Sequence, residues 1–307
     1  MDKGDYQAAI NRYDDALDIE SDYISALNNR GVALNKLGRV QEALDDFSKA
    51  IELEPEYYDA LLNRSMAYID LHQYYMAIND IEIIQENYPD SVKGQFTAGI
   101  IYTSLKEYPK AKESFDLAFK LDPHNPEILI NRGTLFYYLE KYENAISDLK
   151  RALLIDQDNP NAHNALGMTY ADLKEYEKAL SEINQALVLV PEDAYFLNNR
   201  GFILLELGLL DKAAEDIDRS IQADPNNAWA YRNKGLLYIK LNQPERALRL
   251  LNQSSSMDKY VENVFYYLGE AYLLNDQLIE ACNAFKQSAN NLEKEGIDAY
   301  KKYCSQQ

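Results

Sequence analysis

Two cysteines among 307 residues, Cys282 and Cys304, are too few for a disulfide framework, and the second lies in the last four residues. This shortage favours a reducing compartment. Long apolar runs are missing as well. No stretch approaches the roughly 18 residues that a membrane-spanning helix needs, and the N-terminus MDKGDYQAAI has neither the basic nor the apolar region of a signal peptide. A cytoplasmic protein is therefore the expectation. It carries less weight at the N-terminus, because the chain begins inside a repeat, and a removed signal or membrane anchor would lie upstream of that point.

Basic residues are outnumbered, 31 Lys and Arg against 50 Asp and Glu, for a net charge of −19. A nucleic-acid backbone or an anionic membrane would meet repulsion from such a chain instead of releasing counterions. The expected partner is a neutral or basic protein or peptide. Catalytic apparatus is absent too: no glycine-rich phosphate loop, no Cys-x-x-Cys and no His-Glu-x-x-His occurs. His72, His124 and His163 fall at unrelated places in the pattern described next. No enzymatic activity, cofactor or metal site is expected.

What the chain has is tyrosine, 25 copies, and repetition. LNNRG at 27–31 returns at 197–201, an offset of 170 residues, and the related LNRS, INRG and RNKG at 62, 130 and 232 keep to steps of 34. Written from Ile24, eight full units follow without insertion or deletion: 24–57, 58–91, 92–125, 126–159, 160–193, 194–227, 228–261 and 262–295. Position 8 is always small (Gly31, Ser65, Gly99, Gly133, Gly167, Gly201, Gly235, Gly269), and position 20 is always Ala, from Ala43 to Ala281. Large apolar residues recur at positions 11 and 24, as Tyr102 and Phe115 illustrate, and Pro stands at 32 in most units. The spacing is helical, so each unit reads as helix A, a turn near position 15, helix B and a stop.

This pattern resembles the tetratricopeptide repeat, with its small residue at 8, aromatic at 11, Ala at 20, aromatic or aliphatic at 24, Ala at 27 and Pro at 32. The resemblance implies an all-α, right-handed α-solenoid of antiparallel helix pairs, in which helix A lines a concave groove and helix B the convex outside. One helix pair cannot bury its apolar stripe alone and gains a core only from its neighbours. Residues 1–23 match a half repeat, helix B only, and are read as truncated; 24–295 are the eight units; 296–307 are a C-terminal capping helix and tail, with Ile297, Tyr300 and Tyr303 on one face.

Asparagines collect on the helix A stripe assigned to the groove: Asn29, Asn63, Asn131, Asn199 and Asn233 at position 6, and Asn28, Asn164 and Asn198 at position 5. Each costs about 0.5 kcal/mol against Ala in mid-helix. An amide can satisfy a peptide bond on both sides, and superhelical members of the family present such a ladder to bound peptide. The alternative is that these amides bridge adjacent helices. Tyr195, Phe202, Trp229, Tyr266 and Tyr267, with Leu205, Leu236, Ile239 and Leu273, put an apolar group on groove positions of the last three units; Phe96, Ile100, Ile130, Tyr137 and Tyr138 form a second. Position 7 separates from this set. Arg30, Arg64, Arg132 and Arg200 co-occur with Asp46, Asp80, Asp148 and Asp216 at position 23, which predicts an ion pair between helices A and B of one repeat. The related clamp for chaperone C-termini is not spelled: Asn63 and Lys93 fit it, but Asn28, Val32 and Thr97 occupy its other places.

The function these features predict is a non-catalytic scaffold that binds an extended segment of a partner protein. The alternatives are a substrate-recruiting arm of a larger enzyme or complex, and self-association through the uncapped N-terminal helix.

Overall fold

A computed structural model describes residues 3–304, and among them it has eighteen α-helices and no strand. After α1 (Lys3–Ile19) come eight pairs: α2 (Ile24–Lys36) with α3 (Val40–Leu53), α4 (Tyr58–Asp70) with α5 (Tyr74–Asn87), α6 (Val92–Ser104) with α7 (Tyr108–Leu121), and α8 (Pro126–Tyr138) with α9 (Tyr142–Ile155). Then follow α10 (Pro160–Asp172) with α11 (Tyr176–Leu189), α12 (Ala194–Glu206) with α13 (Leu210–Ala223), α14 (Ala228–Lys240) with α15 (Pro244–Met257), and α16 (Val264–Leu274) with α17 (Leu278–Asn290). Helix α18 (Lys294–Cys304) closes the series.

Local chemistry marks both ends of helix A. In seven of the eight pairs its N-cap falls at repeat position 34 of the preceding unit, where Ser91, Asn125, Asn159, Asp193 and Asn227 each accept a hydrogen bond from a first-turn amide; α16 starts two residues later, after Asn263. Its C-terminal exit is a left-handed residue at position 15 in all eight pairs: Gly38, His72, Lys106, Glu140, Lys174, Gly208, Asn242 and Asp276. The next amide then turns back to the position 11 carbonyl, as from Arg39 to Leu34 at 3.0 Å. Only two of the eight are glycine. A side chain there costs roughly 1 kcal/mol, so Lys106→Gly and Lys174→Gly are each expected to raise stability by about 0.5–1 kcal/mol. A urea midpoint that stays put or falls would contradict this.

The small residue at position 8 lets the position 24 side chain of helix B lie against the helix A backbone. A Cβ on Gly31 would stand 2.6 Å from the Phe47 ring, and one on Gly99 2.5 Å from that of Phe115. Phe47, Phe115 and Phe285 are accordingly among the largest fully buried side chains.

The expected ion pairs form, and they are bidentate. Arg30 meets Asp46 at 2.8 and 2.6 Å, Arg64 meets Asp80 at 2.9 and 2.6 Å, Arg132 meets Asp148 at 2.7 and 3.0 Å, and Arg200 meets Asp216 at 2.6 and 2.8 Å. Each Arg also reaches a third helix, which the pairing expected from the sequence did not include. Its Nη1 meets position 25 of the preceding helix B: Asp14 (2.7 Å), Ser48 (3.0 Å), Asp116 (3.1 Å) and Asn184 (2.9 Å). Where Leu250 replaces the position 23 Asp, Lys234 uses the inter-repeat contact instead, with Asp218 at 2.6 Å. Where Leu166 replaces the Arg, Glu182 takes His163 at 2.7 Å.

The chain divides into two compact units, one ending at Ile155 and the other beginning at Asp156. The repeat pattern runs through that point unbroken.

In the first unit Ile10 of α1 is buried with Leu34, Leu44 and Phe47, while Ala9 and Tyr13 stay half-buried and Ile19 is exposed. In the second, α18 packs on α17 and α16, burying Gly296, Ala299 and Cys304, with Tyr303 stacked on Phe285 at 6.0 Å. Ile297 and Tyr300 are half-buried beside that seam. Residues 1–2 of the expected half repeat and 305–307 of the expected tail lie outside the described residues.

The reading of the cysteines is corrected: Cys282 and Cys304 form a disulfide, Cα to Cα 5.6 Å. Because α18 folds back along α17, two residues 22 apart in sequence become neighbours. The premise for a reducing compartment is thereby removed. No described helix is long and apolar enough to cross a membrane.

Candidate protein-binding face

Within each unit, successive A helices touch: α2 with α4, α4 with α6 and α6 with α8 in the first, and α10 with α12, α12 with α14 and α14 with α16 in the second. The backbones of successive B helices stay farther apart among the described residues, although Gln85 of α5 donates to the Ser114 hydroxyl of α7 at 3.4 Å. The A helices thus form the more closely approached side of each stack, and position 6 of one repeat lies against position 5 of the repeat before it.

That register gives the asparagines a structural task. Asn63 donates to the Asn28 side-chain oxygen at 3.0 Å, Asn199 to that of Asn164 at 2.9 Å, and Asn233 to that of Asn198 at 2.7 Å. Asn28 in turn donates to Asn29, and Asn198 to Asn199, both at 3.3 Å. In the second unit this makes a directional relay, Asn233 to Asn198 to Asn199 to Asn164. Asn131 has Phe96 at the matching place and bonds the carbonyl of Glu127 in its own helix at 2.9 Å.

The asparagines, read from the sequence as peptide-facing or as helix-bridging, divide by burial. Asn28, Asn198 and Asn233 are 4, 3 and 0% exposed and bridge helices. Asn29 is exposed, and Asn63, Asn131, Asn164 and Asn199 are half-buried, so these five keep an edge toward solvent.

The aromatics divide in the same way. Tyr195 is 57% exposed. Phe202, Trp229 and Tyr267 surround the buried guanidinium of Arg232, which lies 5.4, 4.9 and 5.8 Å from their ring centres and donates to the Glu262 carbonyl at 3.3 Å. Arg232 holds position 5 and Tyr267 position 6 of the next unit, so they meet by the register that pairs the asparagines. The sequence reading passed over Arg232; the fixed step of 35 residues was the signal that could have found it. Burial pushes the Tyr267 phenol up to about 12. Tyr266 donates to Glu270 at 2.7 Å and packs on Tyr267 and Phe285.

Leu205, Leu236 and Ile130 prove to be core residues, and Phe96 and Ile100 pack against the core. Tyr138 and Met66 are half exposed, at 54 and 50%.

Family models described as tetratricopeptide repeat, or TPR repeat, match residues 1–38, 24–57, 92–125, 133–174, 160–193, 177–228 and 217–249, more than half of the chain. Comparison with curated proteins returned no match. Among solved structures, a tetratricopeptide repeat protein from Parabacteroides merdae is similar at 19% identity and TM-score 0.67, over 81% of this chain and 98% of that one. The APC/C hetero-tetramer Cut9-Hcn1 is similar at 18% and 0.68, over 93% of this chain and 56% of the other. PilF of Pseudomonas aeruginosa is similar at 18% and 0.57, over 69 and 97%. At these identities the likeness is one of fold.

Proposed function

Because the chain belongs to the tetratricopeptide repeat family, whose arrays are in general non-catalytic protein-interaction scaffolds, we propose that it binds an extended segment of a partner protein on the helix A face. The supporting observation is the set of large side chains left exposed on that face. In the first unit Met66 and Tyr138 stand at repeat positions 9 and 13, and in the second Tyr195 stands at position 2, each on the helix A stripe that core packing and the asparagine bridges leave free in its own unit. Exposed apolar residues also occur on B helices, Tyr75, Leu154 and Val188 among them, and are ordinary on protein surfaces; what marks the helix A residues is that they stand beside the amide edges left open on the same stripe. In the second unit the Asn164 and Asn199 amide edges lie on the same stripe and can hydrogen-bond a peptide backbone without reading its side chains.

Site-specific photocrosslinking in cells of the source organism tests this reading. A benzophenone amino acid at Tyr195 is expected to give a defined adduct with another protein, whereas one at Val188, 74% exposed on helix B, is not. Adducts from Val188 alone would place the binding surface on the opposite side and overturn the assignment.

A further inference from the structure

At its C-terminal end the second unit has a cleft of about 840 Å³ between α14, α16, α17 and α18. Its apolar wall is made by Tyr266, Leu273, Phe285 and Tyr303, and its polar lining is three carboxylates, Glu270, Glu295 and Asp298, against one ammonium, Lys302. The Lys302 ammonium lies 4.5 Å over the Tyr303 ring. The Tyr266 phenol reports the local field: burial, the hydrogen bond to Glu270 and the nearby Glu295 charge all push it above its ordinary range. Glu206, Glu270 and Glu295 act in the same sense on Tyr267. Helix α18, which supplies Glu295, Asp298 and Tyr303, is tied to α17 by Cys282–Cys304, so this wall has a fixed place.

We propose that the cleft between α16 and α18 binds a lysine or arginine side chain of a basic, amphipathic protein segment. The aliphatic stem lies against Tyr266, Leu273 and Tyr303, and the charged head sits among Glu270, Glu295 and Asp298. Lys and Arg are the side chains that combine an apolar stem with a charged tip, and aromatic faces attract the same cation that the carboxylates do. An acidic segment would meet the excess of carboxylates, and a purely apolar one would leave them unpaired in a narrowed space. The occupant is therefore chosen by charge complementarity. The cleft includes Tyr266 and Leu273, which stand on helix A groove positions, so the proposal rests on the helix A face reading at the end of the array; because it uses neither Tyr195 nor the asparagine edges, crosslinking at Tyr195 and the charge variants below can fail separately.

The probes are two fluorescein-labelled peptides of alternating sequence, one of Leu and Lys and one of Leu and Glu, titrated into the oxidised protein and read by fluorescence anisotropy. The Lys peptide is expected to bind saturably and the Glu peptide not to bind. Glu295→Gln with Asp298→Asn is expected to weaken the Lys peptide by about fivefold or more. Glu177→Gln with Asp211→Asn changes net charge equally at exposed sites of the same unit and is expected to change affinity by less than about twofold. All four residues are exposed, so circular dichroism should show both variants folded. Equal weakening in the two variants would reduce the effect to bulk attraction toward a chain of charge −19, and would overturn the site. So would comparable binding of the Glu peptide, or no saturable binding of the Lys peptide.

Discussion

Asp80→Leu is expected to destabilise the first unit by about 3 kcal/mol, and adding Arg64→Leu to return most of that loss. Asp80 is 1% exposed and Arg64 19%, so the single change leaves a guanidinium largely out of water with only Ser48 to accept from it. The pair is costly to bury even when complete: burial pushes the Asp80 carboxyl up, and Arg64 offsets this only in part. Removing both charges therefore gives up little net stabilisation, whereas removing one strands the other. The chain contains its own precedent. The pairs α6–α7 and α16–α17 have Ala98 with Ser114 and Leu268 with Ala284 at the corresponding places, and both pairs form. Urea denaturation of the two single variants and the double variant measures the coupling. Additive losses would mean that the two side chains are not coupled, and a double variant as unstable as Asp80→Leu alone would mean that the complete pair is a net stabiliser; either result would overturn this account.

Breaking the Cys282–Cys304 bond, with dithiothreitol or as Cys282→Ser with Cys304→Ser, is expected to cost about 3 kcal/mol in the stability of α18, from the closure entropy of a loop of this length. The effect should be local. In a repeat stack each element contacts only its neighbours, so hydrogen exchange is expected to accelerate through α18 and its seam with α17, near Ala299 and Tyr303, while α10 to α13 keep their protection. Unchanged protection in α18 would mean that its packing on Phe285, and not the covalent tie, holds it in place. Because α18 forms one wall of the acidic cleft, the same treatment is expected to weaken the Lys peptide.

How far the site could be read from residues depends on the range of the interaction involved. Arg30 and Asp46 were legible as partners because their co-variation along the chain names both ends of the contact. The third contact of each Arg was not, since Asp14, Ser48, Asp116 and Asn184 share no single chemistry that would mark position 25. The asparagines were ambiguous for a different reason. An amide that serves a ligand and one that serves a neighbouring helix look identical in sequence, and only the step from position 6 to position 5 of the preceding unit separates Asn233, wholly buried, from Asn199, which keeps an open edge.

The sequence by itself determined that this is an all-helical repeat array, that each unit is a helix pair with a turn near position 15, and which small and large residues at positions 8, 11, 20 and 24 pack that pair. Those features follow from spacing within 34 residues, where hydrophobic period, caps and small residues act locally. Only the tertiary structure decided which amides are spent between repeats, that Arg232 is held among Phe202, Trp229 and Tyr267, and that Cys304 returns to Cys282. Each of these depends on the offset at which one helix pair settles on the next, and that offset arises from the packing of whole faces, not from any residue that spells it.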